Sequence, residues 1–112
     1  MKITRAENRR QKWLRKIEKE RSRQIAREGW TPEHDDKHVI GQLALAACCY
    51  ATPFPLWIRA LTSANIVSFQ DPWPWEREWD KRGQHDPKKR LVIAAALILA
   101  ELERLDRAEG GA

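Results

Sequence analysis

The sequence has no apolar run of about 18 residues, which is the minimum for a membrane-spanning helix, so we expect no transmembrane segment. The charged N-terminus is not followed by an apolar segment, which argues against a secretion signal and predicts a cytoplasmic protein. The two cysteines, Cys48 and Cys49, are adjacent. On a helix they would point about 100° apart, which makes them poor disulfide partners, and we expect both to be small buried residues.

Several arrangements typical of enzymes are also missing. We find no glycine-rich phosphate loop and no Ser-His-Asp or Cys-His arrangement. Internal repeats and low-complexity segments are absent as well. A chain of 112 residues is long enough for one domain with a single modest core.

Positive charge is concentrated in the N-terminal segment. Residues 1–28 contain 11 Lys and Arg against 4 Glu, a net charge of +7, whereas the remaining residues carry 10 basic and 12 acidic side chains, a net of −2. Such a segment can neutralise phosphates of a nucleotide or a nucleic acid, although a basic helix is also often only a solvated surface.

The pattern of helix-forming residues and caps predicts an all-α single domain, a small bundle of three main helices. A basic helix over 1–28 contains no Pro or Gly from Ile3 to Glu28, and Gly29 should end it as a left-handed cap. A second helix is predicted over 31–51, with Thr31 and Pro32 starting it and Val39 and Ile40 on its apolar face. A central apolar helix is predicted over 86–108, opened by Asp86-Pro87.

The N-terminal helix also carries a narrow apolar stripe, which predicts packing against one neighbour or a second subunit. Its members are Ala6, Trp13, Leu14, Ile17 and Ile25. Between the second and third helices, residues 52–86 form an irregular crossover that holds four of the six tryptophans. Short helices are expected there over Pro55 to Leu61 and over Pro74 to Lys81.

The stretch WTPEHDDKH, residues 30–38, could be a metal site or the start of a helix. His34 and His38 are four apart, as in a metalloprotease helix, and would share one helical face. However, they stand at a helix entrance, and His85 is the lone candidate for a third ligand. We therefore favour helix capping by Thr31 and Asp36.

Two pairs of acids offer a second interpretation, a magnesium site. Glu33 and Asp36 are three apart, as are Glu103 and Asp106, so each pair lies on one face of a helix. Two antiparallel helices could bring the four carboxylates together around Mg²⁺, which would hold a triphosphate. Alternatively, the first pair only favours a helix N-terminus and the second is solvated.

Tryptophans beside cations offer a third interpretation, a nucleotide site. Flat rings can stack on bases, and neighbouring cations can bind phosphates. The stacking candidates are Trp73, Trp75 and Trp79. The phosphate-binding candidates are Arg21, Arg23, Lys88, Lys89 and Arg90, of which the last three fall in the first turn of a helix. The alternative is that the tryptophans build a core that would otherwise be marginal.

Three segments, EKERSRQIAREGW, EHDDKHVIGQLALAACCYA and LVIAAALILAELERLDR, are similar to a group of short phage and prophage proteins of mostly unassigned function. More distantly, the chain resembles the MazG-like all-α nucleotide pyrophosphohydrolases, which open with an E-R-x-R-Q segment like Glu20-Arg21-x-Arg23-Gln24 here. Where that superfamily has E-E-x-G-E, this chain reads HVIGQ, with Gly41 retained and Gln42 at the last glutamate. The resemblance therefore implies a nucleotide-binding scaffold whose catalysis is impaired or lost, because an amide cannot replace a carboxylate as a strong Mg²⁺ ligand.

From these observations we expect a phage-type protein, in the cytoplasm of a bacterial host, that binds a nucleotide or cyclic-nucleotide-like ligand and sequesters a host immune signal without any cofactor. One alternative is a Mg²⁺-dependent nucleotide pyrophosphohydrolase with the four acids as metal ligands. Another is a protein inhibitor of a host defence complex. A homo-oligomer is expected, because three helices would expose more apolar surface than one subunit can cover. Nucleic-acid binding by the N-terminal helix is a further, disfavoured possibility.

Overall fold

The computed structural model describes residues 3–53 and 72–110, and it confirms the all-α prediction: this part of the chain contains helices and no strand. Within the described residues the α-helices are α1 (Arg5–Glu28), α2 (Pro32–Asp35), α3 (Gln42–Ala51) and α4 (Pro87–Ala108). Two 3₁₀ turns precede α4, at Arg77–Trp79 and Arg82–Gln84. None of the described helices combines the length and the apolarity needed to cross a bilayer.

Local signals set both ends of α1. Thr4 and Glu7 form a reciprocal capping box at its start, with the Glu7 backbone N–H donating to the Thr4 hydroxyl at 3.1 Å. At its end Gly29 has a φ of 73°, a left-handed conformation that a residue with a side chain seldom adopts.

The single helix predicted over 31–51 is divided into α2 and α3. Gly41, at the start of α3, has a φ of 87°, which a right-handed helix cannot continue through. The intervening turn leaves Val39 and Ile40 exposed at 66% and 78%, so the prediction that they face the core is wrong. Thr31 does cap α2, accepting a hydrogen bond from the His34 backbone N–H at 3.2 Å.

The core lies between α3 and α4, and α4 also packs against α1 and α2. Asp86 caps α4 by accepting a hydrogen bond from the Lys89 backbone N–H at 2.9 Å. Small residues on both helices allow a close approach. The buried cluster consists of Leu43, Ala46, Ala47, Tyr50, Ile93, Ala94, Leu97 and Ala100, with Trp30, Trp73 and Trp75 packed against it.

The contact of α1 with the rest of the molecule is polar rather than apolar. Its buried residues are Glu20, Arg21 and Gln24, whereas Leu14 and Ile25 of the predicted apolar stripe are exposed. Trp13 and Ile17 of the stripe are half-buried, so the stripe forms only part of the interior face of α1. Glu20 and Arg21 can be buried there because each has oppositely charged partners: Arg23 and Lys89 for Glu20, and Asp35 for Arg21.

The remaining predictions about local structure have mixed outcomes. The helix expected over Pro55 to Leu61 lies outside the described residues. Within the segment Pro74 to Lys81 the structure has the shorter 3₁₀ turn Arg77–Trp79. Of the two cysteines, Cys49 is buried but Cys48 is exposed, so the expectation that both are buried is wrong for Cys48.

Candidate ligand-binding clefts

Helix α1 and the first turns of α4 enclose a groove of about 470 Å³, which we call the Trp13 groove. It is lined by Trp13, Lys16, Lys19, Glu20, Arg23, Asp86, Lys88, Lys89 and Val92. Five of these nine side chains are basic and two are acidic, so the groove has a net positive charge.

Lysine ammonium groups surround the half-buried indole ring of Trp13. The Nζ atoms of Lys12, Lys16 and Lys88 lie 5.0, 5.8 and 5.9 Å from the ring centroid. These distances are within the range of cation–π attraction. Lys88 comes from α4 and the other two from α1, so the packing of the two helices creates this cluster.

Glu20 is a buried carboxylate of the groove that pairs with two of its basic side chains. Its side chain is only 2% exposed, and its carboxylate accepts hydrogen bonds from Lys89 Nζ at 2.9 Å and from Arg23 Nε at 2.9 Å. Burial raises the pKa of Glu20, but the hydrogen bonds from Arg23 and Lys89 outweigh it and hold that pKa below its ordinary value. Two of the five basic side chains are therefore already paired with a carboxylate.

The other three lysines of the groove are available to a ligand. Within the described residues, Lys16, Lys19 and Lys88 form no ion pair with a carboxylate. The N-terminus of the 22-residue helix α4 adds a partial positive charge beside them. An anionic ligand would thus be attracted by positive charge from both α1 and α4.

A second, larger cleft of about 660 Å³ lies near the end of α1, and we call it the His–Trp cleft. It is lined by Glu28, Trp30, His34, His38, Pro74, Trp75, Glu76 and Trp79. No Lys or Arg is among these lining residues, so the cleft lacks the cations of the Trp13 groove and combines tryptophans with two histidines and two glutamates.

The two histidines of this cleft are held between tryptophans. The Trp30 ring stacks on His34, with the ring planes 8° apart and the centroids separated by 6.2 Å. Trp75 meets His38 edge-on at 5.5 Å. Burial lowers the pKa of His38, and the neighbouring His34 lowers it further.

Arg21 is buried behind the His–Trp cleft and links three parts of the fold. Its guanidinium donates to Asp35 Oδ2 at 2.8 Å, to the Trp30 carbonyl at 3.1 Å and to Glu103 Oε1 at 3.1 Å. With 6% of its side chain exposed, Arg21 is a structural residue here and not a surface phosphate ligand.

The residues predicted to form one nucleotide site are distributed over several places. Arg23, Lys88 and Lys89 meet in the Trp13 groove. Arg90 is half-buried and donates to the His85 carbonyl. The predicted stacking residues lie elsewhere: Trp75 and Trp79 line the His–Trp cleft, and Trp73 packs on Tyr50.

Sequence reasoning missed Trp13 as a ligand candidate. Lys16 stands three residues after it, a spacing that places this cation beside the ring on a helix. This spacing is a detectable signal. The contribution of Lys88, 75 positions later in the sequence, could not be seen in the same way.

The four acids predicted as Mg²⁺ ligands are placed on neighbouring helices, since α2 packs against α4. However, arginines partner two of them. Asp36 accepts from Arg107 Nη2 at 2.8 Å, and Glu103 accepts from Arg21. Glu33 and Asp106 are exposed. Within residues 3–53 and 72–110, no group of three or more His, Cys, Asp or Glu side chains is arranged to hold a metal ion.

Comparisons of the chain with protein-family models, with curated proteins and with solved structures gave no match.

Proposed function

We propose that this protein binds a small phosphorylated ligand of the nucleotide class in the Trp13 groove. The observation that carries the proposal is the convergence of Lys12, Lys16 and Lys88 on the ring of Trp13. A flat ring that can stack on a base, surrounded by mobile ammonium groups that can bind phosphates, matches the two halves of a nucleotide.

The dimensions of the groove favour a small ligand over a nucleic acid. Its volume of about 470 Å³ falls within the usual range of small-molecule pockets. The lysine tips now close to the ring can turn toward phosphates, because long lysine side chains exchange rotamers rapidly when exposed. Trp13 would then be released for stacking.

Binding without turnover is the role that the groove chemistry favours. Both carboxylates that line it are engaged, Glu20 by Arg23 and Lys89 and Asp86 as the cap of α4. A protein of this kind would sequester its ligand, and in a phage that ligand would be a host immune signal. The pyrophosphohydrolase, the inhibitor of a host defence complex and the phage origin stay predictions.

An exposed apolar row supports the expected homo-oligomer. Leu91, Ile98 and Leu105 are seven residues apart on α4 and are 56%, 50% and 41% exposed, with Leu102, 55% exposed, beside them. A heptad spacing of this kind is typical of helices that pair with another helix.

Isothermal titration calorimetry with AMP, ATP and a cyclic dinucleotide, each with and without Mg²⁺, tests the proposed function. The double variant Lys16→Glu/Lys88→Glu should bind at least about tenfold more weakly, since two cations that meet phosphates become anions. Trp13→Ala should also bind more weakly through lost stacking. Lys81→Glu is the matched control, because Lys81 is an exposed lysine outside the groove.

The bound compound should be recovered unchanged. Equal affinity of the double variant and the unmodified protein for every nucleotide would overturn the proposal. Mg²⁺-dependent release of pyrophosphate would instead favour the enzyme alternative. Circular dichroism melts of each variant show whether its fold is intact.

A further inference from the structure

We infer that His34 and His38 form a two-histidine site for a divalent transition-metal ion of the zinc class. Their Nε2 atoms face one another at 3.4 Å. This site is independent of the Trp13 groove, shares no residue with it and is chemically distinct from the proposed four-carboxylate Mg²⁺ site.

The distance between the two Nε2 atoms matches the distance between two nitrogen ligands of a tetrahedral zinc ion. Zn–N bonds of about 2.0–2.1 Å at an angle near 109° place two ligand nitrogens about 3.3–3.4 Å apart. A direct hydrogen bond between imidazoles is normally shorter, with a modal N–H donor–acceptor distance of about 2.9–3.0 Å. The observed spacing is therefore long for a hydrogen bond and well matched to shared coordination.

The carboxylate of Asp35 lies beside Nδ1 of His34, the ring nitrogen that does not face His38. His34 Nδ1 lies 3.0 Å from Oδ1 of Asp35, which is completely buried. An Nδ1–H that donates to this carboxylate leaves the Nε2 lone pair directed at the metal position, as in carboxylate–histidine–zinc arrangements. Asp35 is itself held by Arg21 at 2.8 Å, so the support is rigid.

Neighbouring rings and backbone fix the direction of both imidazoles before any ion binds. Trp30 stacks on His34 and Trp75 meets the edge of His38. The turn after α2 brings the histidines to one side, since the His38 backbone N–H bonds the Asp35 carbonyl at 3.0 Å. Pre-ordered ligands lose little conformational entropy on binding.

Two protein nitrogens leave part of the coordination sphere open. Both histidines line the His–Trp cleft of about 660 Å³, where water or an external donor can complete the sphere. Imidazole nitrogens select zinc, copper and nickel over hard ions such as Mg²⁺.

Calorimetric titration of the tag-free chain with Zn²⁺, and separately with Mg²⁺, tests the inference. We expect one Zn²⁺ per chain and no heat of binding with Mg²⁺. His34→Ala and His38→Ala should each weaken Zn²⁺ binding by at least about tenfold, since one of only two protein ligands is lost. His85→Ala and Cys48→Ser are matched controls, as they remove the third histidine and the exposed thiol without touching the pair.

Two further measurements separate ligation from a merely structural role. The electron paramagnetic resonance spectrum of the Cu²⁺-loaded protein should show coupling to two imidazole nitrogens, reduced to one in either single variant. Asp35→Asn should weaken Zn²⁺ binding by about 10–100-fold. Zn²⁺ affinity that survives in both His34→Ala and His38→Ala, or that disappears in His85→Ala or Cys48→Ser, would overturn the inference.

Discussion

Arg21 donates a hydrogen bond from Nη2 to Asp35 Oδ2 at 2.8 Å, and the two side chains are only 6% and 0% exposed. The pair joins α1 to α2, and Glu103 extends it to α4. Asp35 also supports His34 in the His–Trp cleft. One buried ion pair thus connects the packing of three helices to the geometry of a candidate site.

Loss of the Asp35 charge should destabilise the fold strongly. Asp35→Asn leaves the Arg21 charge incompletely compensated inside the protein, and we expect a loss of about 3 kcal/mol in the free energy of unfolding. Asp36→Asn is the matched control, because the exposed Asp36–Arg107 pair should contribute no more than about 1 kcal/mol. Urea unfolding measures both, and equal losses would contradict this assignment of Arg21 as a buried structural residue.

Glu20 should make the stability of the protein sensitive to acid. Its pKa in the folded state is lowered below 4.5, so the unfolded state binds more protons at moderately acidic pH and stability falls as the pH decreases through that region. Glu20→Gln removes this contribution. Urea unfolding from about pH 6 down to about pH 3 should show a smaller decline for the variant than for the unmodified protein. Parallel declines would show that Glu20 is not stabilised by its partners.

Tyr50, the single tyrosine of the chain, offers a direct titration. Burial raises its pKa to about 12, so the phenol should ionise well above its ordinary value of 10.0. Because the unfolded state releases this proton first, the contribution of Tyr50 to stability should decline as the pH rises from 10.0 toward 12. Absorbance at the phenolate band reports the midpoint, and circular dichroism shows whether the fold persists. A midpoint near 10.0 in the folded protein would contradict the burial of Tyr50.

The tryptophans before α4 should differ sharply in their contributions to stability. Trp73 packs edge-on against Tyr50 at 6.0 Å and against Trp75 at 5.5 Å, and its indole N–H donates to the Glu76 carbonyl. We expect Trp73→Ala to cost about 3 kcal/mol. Trp79 is 57% exposed, so Trp79→Ala should cost no more than about 0.5 kcal/mol. Thermal and urea unfolding compare the two, and a larger loss for Trp79→Ala would contradict the packing described here.

Some of the architecture follows from the sequence because its causes are local. The capping residues Thr31 and Asp86 and the helix-ending Gly29 act on backbone groups within a few positions, so their effects can be inferred from neighbouring residues. The net charge of residues 1–28 and the apolar character of α4 can also be inferred directly from the sequence. These features were sufficient to predict an all-α fold, and they placed Arg23, Lys88 and Lys89 among the candidate phosphate ligands.

The tertiary structure decided everything that depends on partners distant in the sequence. It buried Arg21 beside Asp35, gathered Lys88 with Lys12 and Lys16 at Trp13, and separated those cations from Trp75 and Trp79. Whether a charged side chain is a ligand-binding group or an interior ion pair depends on what packs against it, and no local pattern contains that information. The same reason explains the histidine pair: its spacing in the chain is visible, but the buried carboxylate and the flanking tryptophans that orient it exist only in the folded protein.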